Sequence, residues 1–295
     1  MITVLPKVSV IMAVFNGELY LKSAIESILN QTYHNFEFII INDGSSDSSD
    51  TIIKSYDDNR IRYIKEQENK GLVNALNKSL QLATGEFIAR MDADDIALPN
   101  RLQQQVDFLI VNKNVELVGT CYEKITDSIS MGNRKQQSDF RKLKFRLFFG
   151  NNIAHPTVMF RRKLVDNGDY YYRLDYPVAQ DYELWTRLAI KYNLDNLPVV
   201  LLKYRVHSNQ VTHHKSILQK ENFRKAHYAY IQNFFEINNI DKIERISTFF
   251  LQPSKLTLFK RMLTAFNIWN HIKSKDVSKR YSIIRLLYWT FLKRK

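Results

Sequence analysis

The chain has 295 residues, of which 45% are hydrophobic and 25% charged, enough to bury a full core as one large domain with an appendage. A lone cysteine, Cys121, excludes an internal disulfide and fits a reducing compartment. Met1–Lys7 lacks the apolar stretch of a secretory leader, and no run of ~18 uncharged apolar residues is present to span a bilayer. The net charge of +13 is concentrated: Ser254–Lys295 holds eleven lysines and arginines against one acid, Asp276, so +10 belongs to the tail.

In chain order, Val8–Val14 is a β-branched run bounded by Pro6 and Asn16-Gly17, which predicts a strand buried on both faces. A helix follows, with Leu19, Ala24, Ile25, Ile28 and Leu29 at helical spacing. Phe36–Ile41 reads as a second buried strand, stopped by Asn42-Asp43-Gly44-Ser45, and residues 47–56 suit a short helix. Ile61–Ile64 is a third strand, Gly71–Ala83 a helix, and Phe87–Met91 a fourth strand. Strands alternating with helices imply a Rossmann-like, mostly parallel sheet flanked by helices. In such sheets ligands bind at the carboxyl ends of the strands. Asn16, Asp43 and Asp92 all lie just past strand ends and should converge on one edge.

Past Pro99 the pattern changes. Arg101–Val111 reads as a helix and Glu116–Cys121 as a strand. Residues 122–150 look polar and irregular, then basic and helical (Phe140–Phe148), and His155–Phe160 strand-like. Asp181–Tyr192 is an amphipathic helix with Leu184, Trp185, Leu188 and Ala189 on one face, and Val199–Val206 a strand. From Ile217 the chain is helical and increasingly basic. His155, beside Pro156, is expected to shape a loop, and His213-His214 to lie on the surface, because no further Cys or His nearby completes a zinc set.

The run Arg90-Met91-Asp92-Ala93-Asp94-Asp95 places three carboxylates within four residues at the end of a strand. Such groups repel one another unless a cation sits among them, and a hard divalent ion takes ligands from one or two carboxylates and completes its shell with water and phosphate oxygens. The alternative is a solvated acidic turn before the helix that starts near Pro99.

The pieces PKVSVIMAVFNGELYL, INDGSSDSS, ENKGLVNALNKSL, ARMDADD, HPTVMFR, QDYELWTRL and YRVHSNQ together resemble the family 2 glycosyltransferases, over roughly residues 6–212. The resemblance implies the GT-A nucleotide-diphospho-sugar transferase fold over residues 1–215; residues 216–295, which it does not cover, read from their own composition as a helical, basic, membrane-associating extension. It implies that Ala13 and Phe15 hold the nucleobase, that Asp43 accepts hydrogen bonds from the base, and that Lys70 lies in a second nucleotide-contacting segment. It places Asp92, with Ala93, against the nucleotide-sugar, Asp94 as a direct ligand of Mn2+ or Mg2+, and His207 as a further metal or diphosphate contact. Asp181 matches the general base. The family often has Glu-Asp at that point where this chain has Gln180-Asp181, and a neutral neighbour should leave Asp181 more acidic than a glutamate would.

The expected activity is an inverting, non-processive transfer of a hexosyl or N-acetylhexosaminyl group. The donor is a nucleoside-diphosphate sugar, UDP favoured, and the acceptor a lipid-linked or oligosaccharide hydroxyl in bacterial surface-polysaccharide synthesis. The Gln-x-x-Arg-Trp motif and membrane spans of processive synthases are missing from the sequence. The basic tail, interleaved with Leu258, Phe259, Leu263, Phe266, Ile268 and Trp269, is expected to hold the protein peripherally on an anionic membrane, at its cytoplasmic face. Two rival readings are a basic nucleic-acid-binding protein, opposed by the confinement of charge to the tail, and a catalytically inactive partner of the same fold, for which Gln180 is the one hint.

Overall fold

The computed structural model describes residues 5–126, 129–207, 216–272, 278–287 and 290. β1 (Val8–Val14) pairs in parallel with β2 (Phe36–Asn42) on one side and with β4 (Phe87–Asp92) on the other, and β3 (Ile61–Lys65) extends the sheet beyond β2. Parallel neighbours need crossovers, supplied by α1 (Leu21–Leu29), α2 (Ser49–Lys54) and α3 (Leu72–Leu82). Side chains alternate across a strand. Val8, Val10, Met12 and Val14 therefore join one core with α1 and α4 (Arg101–Val111), while Ile11, Ile39 and Ile41 join a second core with α3. Burial on both faces is why these strands read as unbroken apolar runs.

Beyond β4 the sheet is mixed. Its order is β3-β2-β1-β4-β8-β6-β9-β5, with β7 on the far part of β6. β8 (Met159–Arg161) runs antiparallel to both β4 and β6 (Leu117–Thr126), β9 (Leu194–Arg205) parallel to β6, and β5 (Ile96–Ala97) antiparallel to β9. The unbroken run of parallel neighbours read from the sequence is β1–β4, and beyond it parallel (β6–β9) and antiparallel pairs mix.

Three local expectations are corrected. Residues 122–139 are not irregular throughout: β6 continues to Thr126 and pairs with β7 (Ile129–Arg134), whose side chains are all exposed and so carry no apolar signature. His155–Thr157 is a 3-10 turn with Pro156 inside it, and the strand begins only at Met159. β9 starts at Leu194 rather than Val199. Its pairing steps from Leu197–Thr120 to Val200–Cys121, so Pro198, which has no N–H to donate, falls in the interruption of the ladder.

After β7 the chain builds helices onto the second core: α5 (Phe140–Arg146) with the 3-10 turn Leu147–Phe149, the one-turn α6 (Lys163–Asp166), α7 (Gln180–Lys191), α8 (Ser216–Phe235), α9 (Ile240–Leu251), α10 (Leu258–Ile272) and α11 (Lys279–Leu287). Phe148 is the hub, with its ring centroid 4.6 Å from Tyr230, 4.8 Å from Phe250 and 5.0 Å from Phe234. One continuous apolar cluster runs from Ile11 through Trp185 to Ile272 and Leu286. The boundary expected after residue 215 abuts residues 208–215, which lie outside the described residues, as do His213, His214 and residues 291–295. Among the described residues no helix is long and apolar enough to cross a membrane.

Candidate active site

The loops that follow β1, β2 and β3 meet at the carboxyl edge of the sheet, beside the end of β4. Asn16, at φ +49, Gly17 and Glu18 donate their amides to Ser45 Oγ, Ser49 Oγ and Asp47 Oδ2. In return the Asn16 and Glu18 side chains accept from the Ser46 and Ser48 amides. The third loop is tied in by Asp43, which is buried and whose two carboxylate oxygens accept from Lys70 N (3.0 Å) and Gly71 N (2.8 Å). Gly44 lies between them at φ +70, and a Cβ there would stand 2.5 Å from the Glu68 carbonyl carbon. Only glycine fits that crossing.

β1 and β4 mark the point where the strand order reverses, so a crevice opens outside their carboxyl ends. The register sets Ala13 beside Asp92. The cleft has a volume of about 1020 Å3, and all nine site residues expected from the sequence line it: Ala13, Phe15, Asp43, Lys70, Asp92, Ala93, Asp94, Asp181 and His207. Phe15 is half exposed at its rim. The Lys70 ammonium is directed 3.5 Å from Glu66 Oε2, while its backbone serves Asp43.

The acidic cluster is held by cations and donors from the protein itself. Arg90, buried one alternation before Asp92 on β4, grips the Asp92 carboxylate with both terminal nitrogens. Burial, with Arg90 opposing and Asp94 reinforcing it, pushes Asp92 up to about 6. His207 Nε2 meets Asp94 Oδ2 at 2.9 Å. Asp95 is fully buried: Oδ1 accepts from Arg205 N at 2.8 Å, whereas Oδ2 has no partner among the described residues. Burial and the neighbouring carboxylates hold Asp95 well above the ordinary range. Carboxylate oxygens of Asp92, Asp94 and Asp95 lie within 4.8 Å of one another. An all-oxygen set with one buried oxygen left unpaired suits a hard divalent cation, so the residues fit the metal implied by the resemblance.

Asp181 comes from a different part of the chain. It opens α7, preceded by Ala179 in the left-handed region at φ +56. That conformation costs a non-glycine residue roughly 1–2 kcal/mol, and the adjoining helix holds it. Burial raises Asp181 above the usual carboxylate range, although the Tyr182 amide (2.8 Å) and Asn151 Nδ2 (2.6 Å) work to lower it. His155 also faces the cleft. Its Nε2 lies 2.7 Å from the Tyr172 hydroxyl, and burial holds the ring neutral, well below the ordinary histidine range.

Two contributors were missed in the sequence reading. Asn151 sits in an unpatterned loop and is recognised only by its bond to Asp181. Arg90 reads as one more residue of a buried strand, yet it supplies the countercharge to Asp92. Alternation along β4 carries a usable hint: a charged residue two before an aspartate at a strand end shares its face.

A sheet of this order, with a metal-suited carboxylate cluster where β4 ends, agrees with the GT-A glycosyltransferase class that the resemblance implies. The signature of Glycosyl transferase family 2 matches residues 9–168, more than half of the chain, and the chain belongs to that family. It is 30% identical to an uncharacterised glycosyltransferase of Haemophilus influenzae, over 95% of this chain and 96% of that protein. It is 36% identical to the O-antigen biosynthesis glycosyltransferase WbnJ of Escherichia coli, over 70% of this chain and 82% of that one. In fold it is similar to S. aureus TarS bound to UDP-GlcNAc, with a TM-score of 0.65 at 18% identity over 96% of this chain and 87% of that one. It is also similar to the Pyrobaculum calidifontis mannosyltransferase PcManGT with GDP-Man and Mn2+, with a TM-score of 0.61 at 17% identity over 99% and 88% of the two chains.

Proposed function

We propose that this glycosyltransferase moves one hexosyl or N-acetylhexosaminyl group from a UDP-sugar to a hydroxyl of a lipid-linked or glycan acceptor, with inversion at the anomeric carbon. The observation that carries the reading is the meeting, in one cleft, of a carboxylate cluster from β4 with a separate carboxylate, Asp181, from α7. The O-antigen role printed for WbnJ supports a surface-polysaccharide acceptor. Neighbours of the same fold bind UDP-GlcNAc or GDP-Man, which supports a nucleotide-sugar in this cleft.

In this reading the nucleotide lies along the ends of β1 and β2. Ala13 offers backbone, Phe15 an exposed aromatic face, and Asp43 braces the 69–71 loop as the second wall. Asp94 and His207, with Asp92 and Asp95 alongside, would hold Mn2+ or Mg2+, which supplies Lewis-acid stabilisation of charge on the departing diphosphate. Arg90 keeps Asp92 oriented. The acceptor oxygen attacks the anomeric carbon as the bond from that carbon to the diphosphate oxygen breaks, and Asp181 takes the hydroxyl proton. Asn151 and the Tyr182 amide fix both Asp181 oxygens. We further place the protein peripherally at the cytoplasmic face of an anionic membrane, where a lipid-linked acceptor would reside.

Two measurements test this. Asp181→Asn should lower turnover by about 10²–10⁴-fold while donor binding survives; near-normal turnover would refute the base assignment. UDP with Mn2+ at ~100 times the dissociation constant should stabilise the fold by about 2.7 kcal/mol, and Asp94→Asn should remove the manganese-dependent part of the melting shift. A shift with GDP and none with UDP would overturn the donor assignment.

A further inference from the structure

α10 carries apolar residues on two opposite faces. Thr264, Ile268 and Ile272 are buried, and the helix packs against α9 and α11. Leu258, Phe259, Met262, Leu263 and Phe266 are instead 54%, 75%, 48%, 42% and 62% exposed. At about 100° per residue these five fill an arc of roughly 140°, centred away from the buried one. α11 adds Ile283 and Leu287, one turn apart and 37% and 53% exposed. Scattered single exposures are ordinary, but a contiguous apolar stripe marks an interaction site.

The charge around the stripe selects its partner. Lys255 and Lys260 are exposed beside it, and residues 254–275 contain no acid. A second copy of this chain would bring like charge against like, whereas the cores of protein interfaces are depleted of charge. Nucleic acid would satisfy the lysines but offers no apolar phase to Leu258 or Met262. An anionic bilayer satisfies both, because acyl chains accept the apolar stripe and headgroups the cations.

We propose that the outward face of α10 is the surface by which this protein docks on an anionic lipid membrane, with Phe259 and Phe266 entering the headgroup–acyl boundary and Lys255 and Lys260 lying over lipid phosphates. This deepens the membrane partner of the proposed function by assigning it to one helix face, and its test involves no turnover.

The full chain is sedimented with vesicles of phosphatidylcholine, with and without phosphatidylglycerol. Partition should rise about tenfold or more when phosphatidylglycerol is present. Phe259→Ser/Phe266→Ser should reverse that gain, and Lys255→Glu/Lys260→Glu should reduce it independently. All four side chains are exposed, so the melting temperatures should match that of the parent chain. Asp181→Asn should bind vesicles like the parent, so loss of the catalytic reading leaves this result standing. The proposal is overturned if the parent chain stays in the supernatant with anionic vesicles, or if the double phenylalanine variant sediments with them undiminished. It is equally overturned if the same variants dissolve a concentration-dependent dimer of a chain that ignores vesicles.

Discussion

Asp181 carries the proposed proton transfer, and the groups around it set the pH at which it can act. Its pKa is raised by burial, and Asn151 opposes that rise by donating to the carboxylate form. A base must be unprotonated to accept a proton, so the acid limb of kcat/KM against pH should lie above the ordinary carboxylate range. Asn151→Ala removes a bond made to the charged form, so the limb should move to still higher pH, with the alkaline side unchanged. A pH–rate profile checks this, and a limb that stays in place would reduce Asn151 to a loop-shaping role. Asp181 could be named from its motif, but Asn151 could not. Its partner is 30 residues away, with a 3-10 turn, β8 and α6 between them, and no local pattern brings residues so separated together.

At the scale of elements, the site is an arrangement of loops fixed by backbone geometry. Gly44→Ala would place a non-glycine residue at φ +70 and drive a methyl into the Glu68–Asn69 backbone. Such strain costs of order 1–3 kcal/mol, and the wall that Asp43 braces would shift with it. A lowered urea midpoint together with weakened nucleotide binding is expected; loss of stability alone would mean that the wall tolerates the shift. Elements buried on both faces, such as β1, β2 and β4, were legible because their composition is continuous and apolar. β7 and the first half of β9 were not. One is exposed throughout and the other contains Pro198, so pairing with β6 rather than local preference makes them strands. The mixed half of the sheet is invisible for the same reason, since strand direction is decided by partners distant in sequence.

Across the whole molecule, the C-terminal helices and the catalytic sheet share one core, and His227 is a joint within it. Fully buried on α8, it bonds through Nδ1 to Ser247 on α9 (2.9 Å) and through Nε2 to the Phe148 carbonyl (2.9 Å). Burial pushes its pKa down from 6.5 to about 4. Below pH 6.5 the unfolded chain therefore binds a proton that the folded chain refuses, so stability rises with pH across the window from 4 to 6.5 and is lost on acidification through it. That depression corresponds to about 3 kcal/mol lost by pH 4. His155, also held neutral by burial, adds a loss of the same sign. Urea unfolding between pH 7 and pH 4 should show this decline, and His227→Gln should flatten its slope whatever it does to stability at pH 7. Because His227 ties α8 and α9 to the turn that follows α5, fluorescence from the catalytic part and far-UV helical signal should fall in one transition. A slope unchanged by the substitution would show that the charge is accommodated by local opening of the helices, with the sheet left folded.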